Sequence, residues 1–174
     1  MTPHRRSRLV GSLICVGALS LAACGDSDEG SDQPSRKAAY AVMLDWLLAN
    51  SGVAFGERCE DPVVFVEAMG SNDIALDDQV GLVNDYEDSF DLRFIDSRDE
   101  AIDDTAAELT VRDDCVLIGF GPMATGSSVE VRAETYRHSA AVSAFKFELS
   151  SVTGSWLIAS EPERVDAEGL VVEE

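Results

Sequence analysis

Four cysteines, two histidines and 33 acids are the residues through which this chain could do chemistry. Cys24 closes the run Leu21-Ala22-Ala23-Cys24, a thiol directly behind two small residues, while Cys59 and Cys115 stand alone further on. His138 is the one histidine beyond His4. A serine nucleophile would need His138 as its base, and the chain has no Gly-x-Ser-x-Gly elbow to go with it. So few imidazoles rule out a histidine-rich metal centre, and Cys59 with Cys115 alone is too small a donor set for structural zinc. Carboxylates are abundant: Asp103 with Asp104, or Asp113 with Asp114, are the right type for calcium or acid–base work. Sequence neighbours point different ways, however, and a solvated acidic face accounts for them. The densest group is Asp96, Asp99, Glu100, Asp103, Asp104 and Glu108. Asp26, Asp28 and Asp32 resemble the start of a calcium loop, but the twelfth position counted from Asp26 is Lys37 where a glutamate is needed. Gly119-Phe120-Gly121 and Gly126-Ser127-Ser128 lack phosphate-loop spacing and a following lysine. No metal or cofactor is expected.

The elements that must carry these residues begin with an address. Arg5, Arg6 and Arg8 precede an apolar run from Leu9 to Leu21, the charged and hydrophobic regions of an export signal. The run is about a dozen residues, short of the ~20 that span a bilayer. Gly25 to Ser35 is polar and acidic and reads as a flexible tether. Ser35 can cap a helix running to Ala49, with Tyr40, Met43, Leu44, Leu47 and Leu48 at helical spacing and Trp46 beside them. Asn50-Ser51-Gly52 ends it.

Pro62 to Val66 is a continuous β-branched run suited to a strand covered on both faces. Leu76, Val80, Val83 and Tyr86 predict a short helix led by Asp77 and Asp78, and FDLRFI, ending at Asp96, predicts a second strand. Asp99 to Glu108 reads as a helical turn or an irregular loop. From Cys115 the pattern turns to strands, over Cys115–Gly121, Val129–His138, Val142–Leu149 and, after the Thr153-Gly154-Ser155 turn, Trp156–Ala159. Glu161 to Glu174 is acidic and weakly patterned. The class expected is α+β, with the N-terminal helix packed on a curved, largely antiparallel sheet ending in a three-stranded meander.

Leu21-Ala22-Ala23-Cys24, after those arginines and that apolar run, resembles the lipobox of bacterial lipoproteins position by position. The resemblance implies cleavage between Ala23 and Cys24, a diacylglyceryl thioether on the Cys24 thiol, and attachment to a membrane on its extracytoplasmic side. Residues 1–23 are then a removed signal, 24–35 the lipidated cysteine and tether, 36–161 one domain and 162–174 an acidic tail. Acyl chains contribute ~0.8 kcal/mol per buried methylene, so two long chains hold a protein stably.

With Cys15 in the signal and Cys24 lipidated, Cys59 and Cys115 are left, and an exported domain favours a disulfide between them. The rival is a pair of free, buried thiols. Closing that loop would stabilise the fold by about 4 kcal/mol.

The stretch Val129 to Ser160, above all its hairpin ending in Gly154-Ser155-Trp156-Leu157-Ile158, resembles the nuclear-transport-factor-2-like and cystatin-like α+β folds. That resemblance implies a bent sheet wrapping a helix into a cone. The formal charge of −20 repels phosphate backbones and anionic headgroups, so no nucleic-acid partner is expected, and the membrane is reached through lipid rather than a basic patch. The functional expectation is a non-catalytic, lipid-anchored module that binds a protein, a small apolar ligand or envelope material. The alternative is a small enzyme using carboxylates with Tyr136 or His138 in a cone pocket.

Overall fold

Ser35 starts the first helix by accepting, through its hydroxyl, a hydrogen bond from Ala38 N at 3.3 Å, which satisfies one of the orphan donors of a helix start. Helix α1 then runs Arg36–Asn50. In the computed structural model residues 34–103, 105 and 109–168 are described, so the signal, Cys24 and most of the tether, together with Asp104, Glu108 and 169–174, lie outside the described residues. Ala39, Tyr40, Met43, Leu44 and Leu47 are buried on α1. Each large one contributes roughly 1.5–3 kcal/mol on full burial. The helix ends at Ser51, whose N–H donates to Leu47 O.

Strand β1 (Val63–Ala68) follows, then α2 (Leu76–Tyr86) and β2 (Asp91–Ile95). A turn at Arg98–Glu100 leads to two minimal strands, β3 (Ile102–Asp103) and β4 (Thr110–Val111). The rest is β5 (Val116–Phe120), β6 (Ser128–His138), β7 (Ala141–Val152), β8 (Ser155–Ile158) and β9 (Glu163–Val165). The nine strands among the described residues belong to one curled, mixed sheet. β1 pairs in parallel with β2, Val64 opposite Leu92, and with β5, Val64 opposite Val116. This parallel block was not part of the sequence expectation. The remaining pairings are antiparallel: β5 with β6, β6 with β7, β3 with β4, and β4 with β6 through Thr110 and His138. β8 and β9 both pair with β7, and Pro62 O, accepting from Asp91 N, fixes how β2 enters beside β1.

Alternation along the strands builds two cores, because successive side chains leave opposite faces. Val64, Val66, Val116 and Ile118 join the α1 residues and Leu82 of α2 on one face. Phe65, Leu117 and Tyr136 point to the other, where Met69, Ala101, Ile102, Val111 and Cys115 cover them. Phe145, Phe147 and Leu149 of β7 share the larger core, and Trp46 meets the rings of Phe145 and Phe147 edge-on at 4.9 and 5.3 Å. The β7–β8 turn is two residues long, Thr153 and Gly154 with φ of 49° and 78°, the positive pair that a tight hairpin needs.

Two stretches depart from expectation for identifiable reasons. The acidic segment after Glu161 contributes β9, since Lys146 of β7 meets Glu163 at 3.3 Å across that edge. The carboxylate Glu134, with no exposed surface, is held by Arg132 Nε at 2.8 Å and by Glu168 N at 3.1 Å. The end of the described chain is therefore tied to the sheet.

Candidate functional site

The residues singled out for chemistry are not gathered into one centre. Tyr136 is 2 % exposed and donates its hydroxyl to Leu109 O at 2.6 Å. His138 stands two residues on, past a break in the β6–β7 register, with Nδ1 accepting from Ala140 N at 3.3 Å and Nε2 lying 3.1 Å from Arg137 Nη2. Asp103 accepts from the hydroxyl and amide of Thr105, and those two bonds hold its carboxyl below the usual range. Glu100 accepts from Asp96 N and Ser97 N, the reciprocal half of a capping box that starts the turn at Arg98. Among the described residues no three His, Cys, Asp or Glu side chains are placed to hold a metal ion.

Cys59 and Cys115 are joined as a disulfide. They precede β1 and β5, strands that pair in parallel, so the bridge closes the amino ends of that block. Gly56 makes the approach feasible: its N–H donates to Asp114 O at 2.8 Å, and a Cβ there would overlap the Asp114 carboxylate at 1.8 Å. Asp113 and Asp114 turn the chain into Cys115 with φ of 54° and 61°, a left-handed conformation that aspartate tolerates better than most residues.

Beside the bridge lies a cleft of about 570 Å³ into which Arg58, Arg93 and Arg112 converge. The chain has only 13 lysines and arginines, so three in one place is a concentration of its scarce charge. Two are already engaged: Arg93 grips Asp91 at 2.5 Å, and Arg112 donates to Asp99 O at 3.1 Å. Glu60, Asp61 and Asp113 share the lining. The mouth is thus zwitterionic rather than basic. Nothing in the sequence flagged these arginines, because only strand register brings residues so far apart together.

A second cleft, about 440 Å³, opens at the carboxyl ends of β1 and β2, beside the first turn of α2. In sheets with parallel strands this is the usual place for a ligand. Its polar groups are largely spent on the fold. Asn72 donates to Phe120 O at 2.9 Å and accepts from the Tyr40 hydroxyl at 3.3 Å, and Gln79 donates to Ile74 O at 2.8 Å. Asp73 and Asp96 complete a lining that repels the anions a helix start would otherwise attract.

Helix α2 supplies the remaining surface feature. Of its apolar repeat, Leu76, Val80 and Val83 face outward and only Tyr86 turns to the core. Leu82 is 1 % exposed, whereas Leu76, Val80 and Val83 are 71, 52 and 37 % exposed. The inward line is completed by Tyr86, which stacks on Phe90 at 5.0 Å and donates to Asp45 Oδ1 at 2.6 Å. Burial and the Asp45 carboxylate push the Tyr86 phenol well above its ordinary range. Lys37 of α1 lies against Gly81 and bonds Asp85 at 2.8 Å, closing the opposite flank.

The described residues form a small α+β domain stapled by the Cys59–Cys115 disulfide, with polar clefts beside the bridge and at the carboxyl ends of β1 and β2, and an exposed apolar helix face. Comparison with protein-family models, with characterised proteins and with solved structures finds no match.

Proposed function

We propose that this protein is a lipid-anchored domain displayed on the extracytoplasmic side of a membrane, where it binds another protein rather than catalysing a reaction. The observation that carries the reading is the Cys59–Cys115 disulfide. Such bridges persist in oxidising compartments, which is where the lipobox Leu21-Ala22-Ala23-Cys24 would deliver the chain. Lipid on Cys24 provides the attachment; among the described residues no helix is long and apolar enough to cross a membrane.

The preference for a protein partner over a small apolar ligand rests on α1. Tyr40, Met43, Leu44 and Leu47 are at most 1 % exposed and share one core with Phe120 and Phe147, so side chains occupy the space a cone-shaped fold would offer a ligand. The finer fold reading belongs to the same proposal: a helix wrapped by a curved sheet that closes in β6, β7 and β8, as in the nuclear-transport-factor-2-like and cystatin-like group. Its support is the edge-on packing of Trp46 on Phe145 and Phe147 and the antiparallel pairing of those strands. The enzyme alternative has less behind it, since Tyr136 is buried with its hydroxyl committed to Leu109 O.

The test is Cys24→Ala, followed by membrane fractionation and mass spectrometry of the N-terminus. The variant is expected to lose its acyl mass and to accumulate unprocessed or be released. A variant cut and anchored like the parent would refute the proposal.

A further inference from the structure

The outward face of α2 is the feature that neither the fold nor the clefts account for. Among the described residues five large hydrophobic side chains are exposed, Leu76, Val80, Val83, Val152 and Leu157, and three of them lie on this one helix. Scattered apolar residues on a surface need no explanation. Positions i, i+4 and i+7, however, form a single row along a helix, here roughly 10 Å long at ~1.5 Å per residue. We propose that this row docks an amphipathic helix of a partner protein whose apolar line is flanked by lysine or arginine. The proposal deepens the binding role given above and rests on it.

The choice of occupant follows from the charges around the row. Helix α2 has no basic residue and carries Asp77, Asp78 and Asp85. Asp77 lies one turn from Val80 on one flank, and Glu87 extends the row past the helix end, one turn beyond Val83. On the other flank Gln79 separates the row from the cleft lined by Asp73 and Asp96. Lys37, which lies against the helix, is engaged by Asp85 on the side away from the row. A second copy of this chain would bring the same carboxylates opposite themselves, and an anionic bilayer would be repelled in the same way. A basic segment instead gains at the rim while its apolar line covers Leu76, Val80 and Val83, as two helices pair along an apolar seam flanked by opposite charges.

The test uses the full chain in mild detergent and two synthetic helical peptides, one of leucine with lysine and one of leucine with glutamate. Binding is read by fluorescence anisotropy at physiological salt. Two double variants leave the charge unchanged: Leu76→Ser with Val80→Ser on α2, and Val152→Ser with Leu157→Ser at the β7–β8 hairpin. The lysine peptide is expected to bind the parent, to lose at least about tenfold in Kd with the α2 variant and less than about twofold with the hairpin variant. The glutamate peptide should bind at least about tenfold more weakly than the lysine peptide. Equal losses in the two variants would reduce the binding to general attraction by an acidic protein and overturn the proposal. So would sedimentation showing a dimer of the parent that the α2 variant abolishes, which would make a second copy the occupant. Fractionation of Cys24→Ala is independent of these readings, so failure of the anchor and failure of the docking face are told apart.

Discussion

Tyr40 and Tyr86 show how single side chains set the conditions under which this fold survives. Burial raises both phenols above the ordinary value of 10.0, and for Tyr86 the Asp45 carboxylate that accepts its hydrogen bond acts in the same direction. Above about pH 10 an unfolded chain gives up those protons while the folded chain keeps them. The stabilisation is therefore complete below that pH and declines as pH rises beyond it. The urea midpoint should fall above about pH 10, and fall less steeply in Tyr86→Phe; equal slopes would contradict this linkage. Legibility at this scale follows residue type. Cys59 and Cys115 are conspicuous once Cys15 and Cys24 are assigned to a signal and a lipobox, and on that resemblance a disulfide is expected over two free thiols; the bridge is present. The partnership of Tyr86 with Asp45, or the meeting of Arg58, Arg93 and Arg112, depends on how helices and strands are laid side by side, which no local spacing records.

Among the elements, the parallel block of β2, β1 and β5 depends on the disulfide at its amino end. Replacing Cys59 and Cys115 together by serine should lower unfolding stability by about 4 kcal/mol, if the loss is chiefly the entropy of a closed loop. Hydrogen exchange should accelerate first at Val63–Val66 and Val116–Ile118, and a uniform increase over all nine strands would argue against a local staple. Helices α1 and α2 and strand β1 were readable because capping, periodicity and β-branched runs are local signals. The inward face of α2 was not. The helix carries a second apolar line, Leu82 with Tyr86, and α1 and β2 packed against that one. β3 and β4 escaped notice at two residues each, and β9 because Glu163, Arg164 and Val165 are an edge strand without a buried side chain. Strand order could not be read either, since parallel pairing through α2 is a property of the path and not of any one segment.

For the whole molecule, the governing quantity is a formal charge of −20. Ion pairs such as Arg98 with Glu67 at 3.0 Å and Lys146 with Glu163 at 3.3 Å offset only part of it, and exposed pairs contribute little. Self-repulsion should therefore dominate the response to salt. Raising ionic strength from ~0.01 M to ~0.15 M, which shortens the screening distance from about 30 to about 8 Å, should raise Tm; a falling Tm would mean that the ion pairs outweigh the repulsion. A different consequence comes from Trp156, whose indole N–H donates to the carbonyls of Pro34 and Ser35 at 3.2 and 3.1 Å. Any mechanical tension applied ahead of Pro34 meets this clasp at the start of α1, and part of it is handed through the Trp156 side chain to the β7–β8 hairpin.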